Sequence, residues 1–130
     1  MTMEVRCRPL SLEELEVEVG HIYQYLVAEK IDKLEIAYGW ACNLDIDELY
    51  TPRTIYTTDL LTLVADSREN GVFKLGDSDM HINSLDGGVR FDLCHESDIH
   101  FEGSKEKAEQ FFARWEGMGY EPYVVQEEED

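Results

Sequence analysis

The chain is poor in proline and in positive charge. Only 3 of its 130 residues are proline and 9 are glycine. No stretch concentrates them, so neither a linker nor a low-complexity segment divides the chain, and one domain is expected over residues 1–125. Lysine and arginine number 11 against 29 aspartate and glutamate, a formal net charge of −18. Phosphate binding needs clustered basic side chains, so direct binding of nucleic acid is not expected, and anionic membrane surfaces are disfavoured for the same reason. Cysteine is scarce too. Cys7, Cys42 and Cys94 form an odd, scattered set with no C-x-x-C, unlike the paired framework of a small secreted domain, which points to a reducing cytoplasm. Long apolar runs are missing. Arg6 and Arg8 have no hydrophobic stretch behind them, so neither a signal peptide nor a membrane span is expected.

What is present suits a folded domain. Hydrophobic residues make up 43% of the chain, with 7 Tyr, 5 Phe and 2 Trp, too apolar and aromatic for disorder. Ser11 followed by Glu14 predicts a capping box. Leu12, Leu15, Val19, Ile22 and Leu26 then mark one face of a helix running to about Lys30. Leu34, Ile36, Tyr38 and Trp40 alternate with smaller or polar residues, predicting a strand from about Lys33 to Asn43 with Trp40 in the core. Asp45–Tyr50 reads as one helical turn ended by Thr51-Pro52. A second helix is predicted from Thr57 or Thr58, with Leu60, Leu61 and Val64 inside and Asn70-Gly71 as its stop.

Short strands follow. Val72–Leu75 and Met80–Asn83 are candidates, Asp86-Gly87-Gly88 is a turn, and Val89, Phe91 and Leu93 alternate clearly. Through His95-Glu96-Ser97-Asp98 the pattern permits either a continuous strand or a tight hairpin. Ser104 caps a last helix with Ala108, Phe111, Phe112, Trp115 and Met118 inside, Tyr123–Val125 is a final strand, and residues 126–130 read as a disordered acidic tail. The order of elements predicts an α+β fold: a mostly antiparallel sheet of about four to five strands, with three helices packed mainly on one face.

No spacing dictates a chemistry. There is no G-x-S-x-G elbow, and Asp86-Gly87-Gly88 lacks the lysine and the strand–helix setting of a phosphate loop. Cys94 lies among carboxylates, which oppose a reactive thiolate, and reads as a structural residue. Two regions remain. Asp45, Asp47 and Glu48 lie between aromatics, with Tyr50 and Tyr56 flanking a loop, the composition of an interface for a basic protein. A non-enzymatic binding module is therefore expected. An immunity-type inhibitor, blocking a nuclease toxin with a basic cleft, would have this size and charge. The alternative is a small metal-binding protein or metal-dependent enzyme, with His81, His95, Asp98 and His100 holding a divalent transition metal. A subunit that only self-associates, through a sheet edge or the first helix, is the plainest reading.

Overall fold

The structure is a computed structural model and describes residues 2–125. The strands are β1 (Thr2–Arg6), β2 (Lys33–Tyr38), β3 (Arg53–Tyr56), β4 (Met80–Ser84), β5 (Arg90–Leu93), β6 (Ile99–Ser104) and β7 (Tyr123–Val125); the helices are α1 (Leu12–Ala28), α2 (Leu60–Glu69) and α3 (Lys105–Gly117). All strand pairs are antiparallel, in one seven-stranded sheet of order β3-β2-β4-β5-β6-β1-β7. The α+β class is as the sequence predicts, but four to five strands was too few. β1 and β3 went unseen, and both run beside strands distant in sequence or at the sheet edge. Val72–Leu75, conversely, is not a strand but turn structure closed by Val72 and Phe73 N–H groups on the Ser67 carbonyl.

The helices form where the local signals place them. Ser11 and Glu14 make the reciprocal capping box, and Ser104 accepts from the Lys107 N–H to cap α3. α1 buries Leu15, Val19, Ile22 and Leu26 on one stripe, while Leu12, Leu61 and Met118 stay outside the core. Asn70-Gly71 ends α2, with Gly71 in the left-handed conformation at φ +74°.

All three helices cover the same sheet face. Alternate strand residues, Leu34, Ile36, Tyr38, Met80, Ile82, Phe91, Leu93, Ile99, Phe101 and Val5, are buried there. Tyr25 of α1 and Phe111 of α3 meet Phe91 and Phe101 of this face. From α2, Ser67 hydrogen-bonds the Tyr38 hydroxyl. One acidic residue of α1 belongs to this layer rather than to solvent. Glu18 is 1% exposed and accepts from Arg114 (2.6 and 3.2 Å) and from the Trp115 indole N–H (2.8 Å). Among the described residues no helix lies on the other sheet face. No helix of the described residues is long and apolar enough to cross a membrane.

Candidate functional site

On the uncovered face, strand register converts scattered polar residues into two cross-strand rows. One runs Thr54, Glu35, Asn83, Arg90, Glu102, Glu4. The next runs Ala37, His81, Asp92, His100, Arg6, Tyr123. Residues directly opposite one another in antiparallel strands interact side by side. In the second row His81 Nδ1 lies 2.5 Å from Asp92 Oδ1, and His100 Nδ1 lies 3.9 Å from Asp92 Oδ2. In the first, Arg90 reaches Glu102 at 3.7 Å, Glu102 faces Glu4, and Glu35 pairs with no cation among the described residues. These rows floor a groove of about 410 Å³, whose carboxylates are Glu4, Glu35, Asp92 and Glu102.

The segment between β2 and β3 builds the groove's wall. β2 stops at Tyr38, not at Asn43 as the alternation predicts, because the chain turns at Gly39. A Cβ there would stand 3.0 Å from His81 Nε2, 3.0 Å from Tyr50 Cε1 and 3.1 Å from Asp79 Cβ, so a larger residue would require these side chains to give way by a few tenths of an ångström. Tyr50 takes a left-handed conformation (φ +61°), held by its N–H on the Tyr38 carbonyl at 2.7 Å. Its ring then sits 6.1 Å from that of His81. Trp40 is not in the core. It lies within the turn, is 61% exposed, and its ring lies 5.8 Å from His95.

The turn from Cys94 to Ser97 settles the open choice at this point: β5 and β6 form a hairpin. The Cys94 N–H bonds the Asp98 carbonyl at 3.0 Å, and Ser97 takes φ +67°. The tight turn also brings neighbours together that a strand would keep apart, with Cys94 Sγ 3.8 Å from His95 Nδ1. His95 donates to Asp79 from its backbone N–H (2.6 Å), and its Nδ1 lies 2.8 Å from the same oxygen. Asp98 is buried at 8% exposure, 2.9 Å from His100 Nε2 through one oxygen. Burial pushes the Asp98 carboxyl up, but its bonds to His100 and neighbouring groups prevail and hold it below the ordinary carboxylate range. Burial pushes the Cys94 thiol up to about 12, with Asp98 and Asp79 adding to the rise. Cys7 and Cys42 are also raised, chiefly by burial. None of the three thiols is activated as a nucleophile.

The residues singled out from the sequence fall in three places. Asp45, Asp47, Glu48, Tyr50 and Tyr56 are all exposed. Tyr50 overhangs the groove, and Tyr56, at 60% exposure, stands on edge strand β3. Asp45, Asp47 and Glu48 lie in the turn leading to Tyr50, where the Asp45 carbonyl accepts from Glu48 and Leu49. The four histidine-region residues divide by partner: His81 with Asp92, His95 with Asp79, and Asp98 with His100. His81 and His100 do not face one another directly, because β5 lies between β4 and β6 and places Asp92 between them. Asp92, Asp79, Glu4, Glu35 and Glu102 were not picked out. Glu35, Asp92 and Glu102 occupy the outward positions of their alternating strands, which is the only local sign they carry.

The His81–Asp92 bond predicts a pH dependence. Hydrogen bonding to Asp92 raises the His81 pKa, burial opposes, Asp79 adds to the rise and Arg90 subtracts. A raised histidine favours the folded state while protonated. Its contribution is complete below the unfolded value of about 6.5 and fades as pH climbs through the higher folded value. His21, lowered by burial and by Arg114, acts in the opposite sense. The informative quantity is therefore a difference. Urea midpoints of wild type and His81→Gln, compared across this range, should converge as pH rises; a constant gap would show that His81 does not titrate with folding. No protein-family model, curated protein or solved structure matches this chain, so its function is read from these residues alone.

Proposed function

We propose that the open sheet face and the Asp45–Tyr56 segment form one acidic surface that docks a basic protein. The observation that supports this is the uncovered groove, where Glu4, Glu35, Asp92 and Glu102 share one concavity under Tyr50. Arg6 pairs with Glu4, His81 with Asp92 and Arg90 with Glu102, while Glu35 has no cation among the described residues. A lysine or arginine of a partner would supply the missing charge, and an exposed tyrosine offers its ring face to the same cation. The net charge of −18 would speed the encounter over a distance set by ionic strength. Trp40, Tyr50 and Tyr56, each more than half exposed, supply rigid aromatic area at the rim. The partner surface with the closest chemistry is one built for phosphates, such as a nuclease cleft. An immunity-type inhibitor of such an enzyme is the finer form of this reading.

Any polyanion attracts a polycation, so the test must separate place from charge. The full chain is titrated with a fluorescent arginine-rich peptide at physiological salt. Glu35→Lys with Glu102→Lys is expected to weaken binding by about tenfold or more, roughly 1.4 kcal/mol. Asp66→Lys with Glu116→Lys makes the same charge change on exposed positions of α2 and α3, and should weaken it much less. Equal losses in the two variants would reduce the effect to net charge and remove the groove from the account.

A further inference from the structure

The β5–β6 turn holds a second cluster whose chemistry the docking reading does not use. Cys94 Sγ, a carboxylate oxygen of Asp98 and a ring nitrogen of His100 all lie within 4.8 Å of one another. A thiolate, an imidazole and a carboxylate are the donor set of zinc-type sites, and ligand bonds of about 2.0–2.3 Å place tetrahedral donors roughly 3.3–3.8 Å apart. The three side chains therefore need to close by about 1.5 Å at most.

A further observation points to a ligand here. Asp98 Oδ1 is buried with no hydrogen-bond partner of good geometry, alone in this among the buried side-chain polar atoms of the described residues, although the Cys94 thiol stands close enough to act on the Asp98 carboxyl. Buried acceptors are nearly always satisfied, and one that is not calls for an ion or another donor. A neighbouring triad, Asp79, Cys94 and His95, shares the same thiol. There, however, the Asp79 oxygen already accepts two N–H groups from His95, so nothing is left wanting.

The surroundings suit ligation as well. His100 Nε2 is bonded to Asp98 Oδ2 at 2.9 Å, a contact that an ion would replace, and Asp92, 3.9 Å from His100 Nδ1, is the carboxylate nearest to receive the proton on that nitrogen. The turn is pinned from outside the hairpin, since Leu10 donates to the Ser97 carbonyl at 2.8 Å and Ser97 Oγ donates to the Gly76 carbonyl at 3.0 Å. Its donors are thus held before any ion arrives.

We infer that Cys94, Asp98 and His100 bind a divalent transition metal of the zinc class, with the fourth position left to solvent or a partner group. The thiol proton leaves to solvent as the metal–sulfur bond forms, so binding releases protons. The assignment differs from the one read off the sequence: Cys94 enters, while His81 and His95 belong to other partners.

The test uses the reduced, chelator-stripped full chain titrated with cobalt(II). One ion per chain is expected, with a near-ultraviolet thiolate-to-cobalt charge-transfer band that zinc(II) abolishes by displacement. Cys94→Ser should remove the band, and Asp98→Asn should weaken cobalt affinity about tenfold or more. Cys42→Ser should leave the band in place. Absence of the band in wild type overturns the site, leaving at most surface carboxylates for the ion, as does its survival in Cys94→Ser, which would assign the band to another thiol. If Cys94→Ser does not fold, the decision passes to Asp98→Asn: unchanged cobalt affinity there overturns the site.

Discussion

Replacing Arg114 by alanine is expected to cost the fold about 3–5 kcal/mol, the usual penalty for stranding a buried charge. The charge in question is Glu18, 1% exposed among the apolar residues of α1. Arg114 gives it two bonds and Trp115 a third. Without the guanidinium, one indole N–H must satisfy a whole carboxylate. Chemical denaturation gives the number directly from the shift in midpoint at unchanged slope. A compensated double variant, Glu18→Gln with Arg114→Met, is expected to recover much of the loss, because the neutral amide needs no desolvation of charge and its oxygen still accepts from the Trp115 N–H. If the double variant were as unstable as Arg114→Ala, the pair's value would lie in its shape rather than in matched charge.

Phe111→Ala is the second large effect, again about 3–5 kcal/mol. The ring is 2% exposed and lies 4.4 Å centroid to centroid from Phe101, 5.4 Å from Phe91, 4.9 Å from Tyr25 and 5.7 Å from Trp115. It therefore joins both terminal helices to the central strands. Truncation loses the transfer of the ring from water and leaves a cavity that β5 and β6, fixed by their neighbours, cannot close. Phe111→Leu, which keeps much of the volume, should lose less than half as much. Equal losses would mean that the aromatic edge contacts, not volume, hold this junction. Because Phe111 and Arg114 lie one turn apart on α3, their combined effect is not expected to be a simple sum.

These two residues also bear on the candidate surfaces. α3 presses on β1 and β6 from the core side, while Glu4, His100 and Glu102 project from the same strands on the other. A folding defect in α3 would thus blur the groove and the β5–β6 turn together.

Much of the helical structure was legible locally. The Ser11/Glu14 box, the Leu15–Leu26 stripe and the Asn70-Gly71 stop act within a few residues, and each appears where its spacing requires. Edge and terminal strands were harder. β3 has only Ile55 half-buried, so no apolar alternation marks it. β1 does alternate, Met3, Val5 and Cys7 against Glu4 and Arg6, but its partner β6 lies almost a hundred residues away, and pairing over such a distance leaves no short-range trace. Trp40 was misplaced because the alternation that holds through Tyr38 breaks after Gly39, where the Cys42 N–H closes a turn on the Gly39 carbonyl and Ala41 takes φ +62°.

By itself, the sequence determined the scarcity of positive charge, the absence of a paired-cysteine framework and the α+β class, since these follow from composition and from periods of two and about 3.6 residues. For β2, β4, β5 and β6, whose alternation is plain, it also determined which residues point away from the core, because side chains alternate strictly along a strand. Only the tertiary structure decided which of those outward residues meet. Strand order and register set Asp92 between His81 and His100, and Glu102 opposite Glu4. A tight turn, not a continued strand, put Cys94, Asp98 and His100 within reach of one another. Adjacency across a sheet is fixed by pairing between distant segments, and no local pattern encodes it.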